Sequence, residues 1–246
     1  MKKFRILALA LTLVLCFGLI AGCVEDLPDV NAENGVIIES DDPASETIKV
    51  GLLGPDTGDV AQYGISVKNG VRLYIKELNA AGGINGKQVE LINYDEEGDP
   101  QKAMTGYNAL VDAGVTAIIG DVTTGPTNAV VPLAAEDNMP MITASATAAS
   151  VTYDAETDTV YENMFRSCFI DPFSGEKMAD FAYNELGVAT AAVLNNVGDD
   201  YSAGCTEAFV AKAAELGLEI VALESYADGK VVDFQAQLTN IAAKNP

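Results

Sequence analysis

At 246 residues, 49% of them hydrophobic, the chain is long enough for one large or two modest packed domains. Its 14 Lys and Arg against 36 Asp and Glu leave a formal net charge of −22, which excludes a nucleic-acid-binding surface built from clustered cations. The absence of His removes the usual general base, the Ser-His and Cys-His nucleophile pairs and the commonest metal ligand, so neither a metal nor another cofactor is expected.

The N-terminus reads as a targeting segment. Lys2, Lys3 and Arg5 form a positive region, and residues 6–20 are an apolar run interrupted only by Thr12, Cys16 and Gly18. A permanent transmembrane helix would need about 20 apolar residues, and this run ends early in small ones. Residues 1–22 are therefore expected to be a signal peptide. The run ends in Leu19-Ile20-Ala21-Gly22-Cys23, which resembles the lipobox of bacterial lipoproteins. That resemblance implies that Cys23 is lipidated and becomes the first mature residue, placing the protein outside the cytoplasm and anchored to the cell membrane, on the periplasmic side or at the cell surface. Two acyl chains suffice for stable anchoring. Residues 24–46 lack periodicity, contain Pro28, Pro43 and many acids, and have one apolar interruption at Val36-Ile37-Ile38. With Cys23 they read as a flexible acidic tether, residues 23–46.

Ile48-Lys49-Val50-Gly51-Leu52-Leu53 is a short apolar run suited to a strand buried on both faces. The turn Gly54-Pro55-Asp56-Thr57-Gly58 and an amphipathic helix over 66–80 follow, in the order of a parallel βαβ unit. Loops that leave the carboxyl ends of such strands form the ligand crevice, which makes Tyr63 a first candidate contact. A glycine turn at 81–87 leads into a second strand, 88–94. Gly86-Lys87 fails as a phosphate loop, because a strand follows where that motif requires a helix. Asp95-Glu96-Glu97-Gly98-Asp99-Pro100 reads as a solvated acidic loop, with Asp99 and Pro100 opening a helix to 112. A third strand spans 115–120, a helix with Pro126 in its first turn and Pro132 inside it runs to 137, and a fourth strand spans 139–142. The loops after these two strands, Asp121-Val122-Thr123-Thr124-Gly125 and Thr143-Ala144-Ser145-Ala146-Thr147, are built of hydroxyls and small side chains. Around a helix start this suits anion binding, although ordinary capping uses the same residues. Beyond them the pattern predicts a helix at 172–186, a strand at 190–195, a helix at 203–216, a strand at 218–226 and a helix at 234–244. Cys168 and Cys205 both follow predicted strands. A disulfide between them is conceivable, and two unpaired thiols are an equally ordinary outcome.

Together, the segments GPDTGDVAQYG, AAGGINGKQVELINYDEEGDP, the glycine-hydroxyl loop and ITASATA resemble the extracytoplasmic solute-binding proteins of branched-chain amino-acid ABC transporters. The resemblance runs from about Thr47 to the end. It implies an α/β fold of two doubly wound lobes, the type I periplasmic-binding-protein fold, with the first lobe over 47–165 and a second, incomplete in this chain, over 166–246, the crossing falling near Arg166. Carried over by position, Thr124 matches the family's first hydroxyl contact. Ser145, Ala146 and Thr147 match its second ligand loop, Tyr63 an aromatic wall, and Tyr201 a tyrosine that closes over the ligand. Ser145 departs from the small apolar residue usual there, and an extra hydroxyl favours a more polar ligand. Family members are longer, so the chain is expected to be a fragment, with the acidic partner for the ligand's ammonium in the remainder.

The function so implied is a monomeric, non-enzymatic, lipid-anchored receptor that binds a small amino acid, most readily a branched-chain one, and delivers it to the membrane permease of an ABC importer. The alternatives are a sensor of the same fold, or a binder of another small polar solute such as an amide or a polar amino acid. An extracytoplasmic enzyme working through acids such as Asp121 or Asp199 would lack His, a GxSxG elbow and a metal cluster.

Overall fold

The computed structural model describes residues 36–39, 47–227 and 233–246. The signal peptide, Cys23 and most of the tether lie outside the described residues. Among the described residues, ten strands and six α-helices follow one another: β1 (Val36–Glu39), β2 (Ile48–Leu53), α1 (Ala61–Ala80), β3 (Val89–Tyr94), α2 (Pro100–Asp112), β4 (Ala117–Ile119), α3 (Thr124–Asp137), β5 (Met141–Thr143), β6 (Tyr153–Asp154), β7 (Thr159–Val160), β8 (Met164–Arg166), α4 (Asp171–Asp180), β9 (Thr190–Asn196), α5 (Asp200–Leu216), β10 (Glu219–Tyr226) and α6 (Gln235–Lys244). A single turn of 3-10 helix at Ala149–Val151 and a π-turn at Phe181–Glu185 complete the set.

The first sheet has the order β1-β3-β2-β4-β5-β8. Of its five pairings, the four among β3, β2, β4, β5 and β8 are parallel and place Val50 opposite both Leu91 and Ala117, and Met141 opposite both Ile118 and Met164, while that of β1 with β3 is antiparallel. Two strands correct the reading from sequence. Val36–Glu39, taken as part of a flexible tether, pairs antiparallel with β3, Val36 against Tyr94 and Glu39 against Leu91, because an edge strand needs only a free backbone ladder and one short apolar run. Met164–Arg166 carries no pattern of its own, yet β5 offers it an open edge, so Arg166 ends a first-sheet strand.

The helices α2 and α3 cover one face, where Leu53, Ile92, Tyr107, Leu110, Ile118, Val130 and Met141 form the buried core. On the other face, α1 and the sheet enclose an apolar groove of about 560 Å³ between Val67 and Val71 of the helix and Val50 and Ile119 of the strands. Farther along that face Ile142 and Phe165, paired across β5 and β8, remain 40% and 53% exposed. The second sheet is a parallel pair, β9 and β10, running from Thr190 opposite Glu219 to Asn196 opposite Tyr226 with one register shift between Ile220 and Ala222, and α4 packs on α5.

Cap chemistry sets several helix starts. Asp99 accepts hydrogen bonds from the amides of Gln101 (2.8 Å) and Lys102 (3.0 Å), and Pro100 occupies the first helical position as the sequence predicts. Asp199 caps α5 through the Ser202 amide at 3.0 Å, so that helix begins at Asp200 and takes Tyr201 into its first turn. The first helix also begins earlier than predicted, at Ala61 instead of 66. Gly64, a turn residue by composition, is a helix residue at which an added Cβ would collide with the carbonyl of Pro55.

That contact separates two glycines of one helix. Gly64→Ala should cost about 1–3 kcal/mol through overpacking. Gly70→Ala, in open space, should gain about 0.5–1 kcal/mol. Thermal melts of the two variants against the parent check both signs.

Candidate ligand-binding site

The parallel strands β3, β2, β4 and β5 discharge their loops at one edge, and the polar groups gathered there form a frame under the candidate contacts. At its centre is Lys68, on α1 and fully buried. Its ammonium donates to the carbonyls of Gly54 (2.6 Å) and Tyr94 (3.2 Å) and pairs with Asp56 Oδ2 at 2.9 Å, so all three of its hydrogens are committed. Burial lowers its pKa, an effect that the charge of Asp56 opposes. Asn93 Nδ2 donates to the same Asp56 oxygen at 2.7 Å. Asp95 accepts from the Asp56 amide (2.7 Å) and from the Thr57 hydroxyl (2.8 Å), tying the loop after β2 to the loop after β3.

The acid run 95–99 is not uniformly solvated, which corrects the reading from sequence. Glu96 is fully buried, and so is Asp121 in the loop after β4. The two carboxyls lie within hydrogen-bonding reach of each other. Burial, reinforced by the charge of Asp121, pushes Glu96 up to about 8. Burial also raises Asp121, while the Val122 amide and the charge of Lys68 act the other way. A solvated acid run and one with a buried member look alike in sequence, and no local signal distinguishes them.

The two hydroxyl loops are fastened to each other. Thr143 Oγ1 donates to the carbonyl of Asp121 and Ser145 Oγ to that of Val122, each at 2.6 Å. The amides of Ser145 and Ala146 turn back onto Thr143 Oγ1 at 3.3 and 3.0 Å. Thr124, 5% exposed, is the first residue of α3, and the Thr123 side chain makes no capping hydrogen bond. Ala146 is fully buried and Thr147 nearly so. Tyr63 stands one strand away, in the first turn of α1, 55% exposed.

The second lobe reaches this edge through Asp171, a residue the sequence did not single out. Asp171 is buried, its amide donates to the carbonyl of Thr147 at 3.0 Å, and the Thr147 hydroxyl lies beside its carboxyl. Burial raises its pKa, opposed by the Thr147 hydroxyl and the Cys205 thiol. Cys205 donates to Asp171 Oδ1 at 3.7 Å, and Tyr201 lies one helical turn earlier, within reach of Cys205. Outside this chain of contacts, Asn128 of α3 donates to Asp200 of α5 at 2.8 Å and takes a bond from Ser150 at 3.0 Å. Cys168 and Cys205 are free thiols. Cys168 donates to the Ala146 carbonyl, whereas Cys205 is turned to Asp171, and burial holds Cys205 at about 11, in its unreactive protonated form. Arg166 folds over the second loop, donating to the Ala148 carbonyl (2.7 Å) and the Thr152 hydroxyl (2.6 Å). Among the described residues no group of acids and thiols is arranged to hold a metal ion.

Parallel strands whose hydroxyl-bearing loops gather at one edge, followed by a second α/β lobe that touches those loops, define the frame of a two-lobed solute-binding protein. The family profile described as periplasmic binding protein matches residues 47–246, and the chain belongs to that family, one of binding proteins and not of enzymes. It is 31% identical over 198 residues to the leucine-, isoleucine-, valine-, threonine- and alanine-binding protein of Pseudomonas aeruginosa, covering 80% of this chain and 51% of that one. Among solved structures it resembles the branched-chain amino-acid transporter substrate-binding protein of Streptococcus pneumoniae in complex with isoleucine, with a TM-score of 0.72 and 31% identity over 80% of this chain and 54% of that one. A solute-binding protein from R. palustris in complex with benzoate superposes with a TM-score of 0.71 at 27% identity, over 82% of this chain and 54% of that one. The chain thus spans about half the length of the curated relatives it matches.

Removing the ammonium at the centre of the frame leaves Asp56, partly buried against the strand ends, without its counter-ion and takes the side-chain donor from the carbonyls of Gly54 and Tyr94. Lys68→Met should therefore cost about 3 kcal/mol, readable as a lowered denaturant midpoint at unchanged slope.

Proposed function

We propose that the full-length protein is a lipid-anchored extracytoplasmic receptor that binds a branched-chain amino acid between its lobes and delivers it to an ABC importer. The start of α3 carries this reading. Its first-turn amides, at Thr124 and Gly125, have no side-chain cap from Thr123, and Pro126 contributes no amide, so a ligand's carboxylate can take the two donors together with the Thr124 hydroxyl. No buried cation is needed, which suits a zwitterion that brings both charges with it. Thr147, with its hydroxyl against Asp171, offers its lone pairs to the ligand's ammonium. Tyr63 and Tyr201, both about half exposed, are the walls for the side chain. Ser145 spends its proton on the Val122 carbonyl and shapes the loop more than it selects a polar ligand. Closure follows if the ligand touches both lobes, since only differential contact shifts the balance between open and closed forms.

The relatives support the ligand class through their own names: one binds leucine, isoleucine, valine, threonine and alanine, and another was solved with isoleucine. The benzoate complex supports a second reading in which the carboxylate is the shared group and the remainder of the ligand differs. The anchor rests on the lipobox resemblance at Cys23.

For the mature full-length protein, leucine, isoleucine or valine should raise the melting temperature selectively, as mass action requires of a ligand bound to the native state. Thr147→Ala should weaken that binding about tenfold or more, the worth of a hydrogen bond to a charged group. A response to benzoate alone would move the ligand class while keeping the loops. In cells, radiolabelled palmitate should enter the protein and be lost in Cys23→Ser; labelling of the variant would dismiss the anchor.

A further inference from the structure

Two buried carboxyls lie beneath the loop that begins α3, and nothing in the ligand chemistry uses them. Glu96 comes from the loop between β3 and α2, Asp121 from the loop between β4 and α3, and both are fully buried. Among the described residues only Asp121 Oδ1, which takes the Val122 amide, has a donor at hydrogen-bond geometry; the amides of Gly98 and Asp99 lie near Glu96 and that of Thr123 near Asp121, and they oppose the effect of burial without cancelling it. The charged group that faces Asp121 from α1 is Lys68, and its hydrogens are committed to Gly54, Tyr94 and Asp56. Asp56, from the loop after β2, faces Lys68, and Asp95 acts on Lys68 from the same direction. Two carboxylates in contact, buried and without a cation of their own, cannot both ionise at neutral pH. The economical arrangement keeps one proton between them, donated by Glu96 to Asp121, whose other oxygen continues to hold the Val122 amide.

That amide opens the segment on which the proposed carboxylate site depends. The carbonyls of Asp121 and Val122 take the Thr143 and Ser145 hydroxyls, and Thr124 follows at once as the first residue of α3. We propose that Glu96 is a positioning residue: in its neutral form it donates a hydrogen bond to Asp121 and so holds loop 121–124 in the geometry that presents the α3 amides to an anionic group. Deprotonation would set two like charges against each other and turn Asp121 away from the Val122 amide. The linkage has a definite sign. The folded form keeps a proton that the unfolded chain releases in the ordinary glutamate range, so this pair's contribution to stability is full below that range and is lost, with the order of the loop, as pH rises through about 8.

The inference rests on the amino-acid-binding reading for its functional consequence, and its test separates the two. The mature full-length protein is compared with Glu96→Gln, whose amide can still donate to Asp121, and with Glu96→Ala, which cannot. Infrared spectra across the pH range should show a protonated carboxyl in the parent at neutral pH, absent from Glu96→Gln and lost from the parent on alkalinisation. The Val122 amide resonance should stay at the parent position in Glu96→Gln and move in Glu96→Ala. With leucine as the probe, the parent's affinity should fall by up to about tenfold per pH unit through the titration, and that of Glu96→Gln should stay flat. If leucine does not bind at all, the amino-acid reading fails, while the first two measurements still decide the proton. Absence of a protonated carboxyl attributable to Glu96, or a Val122 resonance indifferent to Glu96→Ala, would overturn the proposal.

Discussion

Much of the first lobe depends on the placement of one ammonium. Lys68 lies on α1, yet its nitrogen ends among the last residues of β2 and β3, binding the carbonyls of Gly54 and Tyr94 and the carboxylate of Asp56. Burying a lone cation there would be prohibitive, and the three acceptors together make it tolerable. The consequence is geometric. Two strands must end level with each other, and the loops beyond them are fastened again through Asp95 and Asn93. Loops held this firmly can present hydroxyls and amides at defined positions.

Burial has opposite effects on the two kinds of charge in this frame. The cation is satisfied and the neighbouring acid pair is not, so the local chemistry tends toward one retained proton and not toward another ion pair. A similar arrangement recurs at the junction of the lobes, where Asp171 is buried beside Thr147 and Cys205. There the carboxyl has weak donors from both lobes, a thiol on one side and a hydroxyl on the other. Side chains from α3 and α5 meet nearby through Asn128 and Asp200, an exposed contact that water can replace at little cost. The two junction contacts differ in kind: one is sheltered and positions Thr147, the other is solvated and inexpensive to open.

How much of this was legible in the residues follows from the range of the forces involved. The Asp99-Pro100 helix start was readable because a cap acts over three residues. Alternating apolar runs and amphipathic stretches indicated the βαβ order, since each core face is written locally. The strand at Val36–Glu39 was misread as tether, because an edge strand draws its stability from a partner more than fifty positions away. Tyr63 and Gly64 were assigned to a loop from their glycine-rich surroundings, whereas the close approach of Pro55 requires a glycine within the helix itself. Within the candidate site, the hydroxyl loops were visible as composition, but Asp171 was not, because an aspartate before a proline at a helix start looks like an ordinary first-turn acid.

By itself, the sequence determined the class of chemistry. With no His and 36 acids there is neither an imidazole base nor a cationic surface, and the order of strands, glycine turns and hydroxyl loops specifies an α/β binding fold. Tertiary structure decided which acids are charged and which loops touch. Lys68, Glu96 and Asp121 become neighbours only when three strand ends are aligned by the sheet, and burial then sets their protonation. Propensity and capping act between residues close in the chain, whereas desolvation and pairing act between residues that only folding brings together.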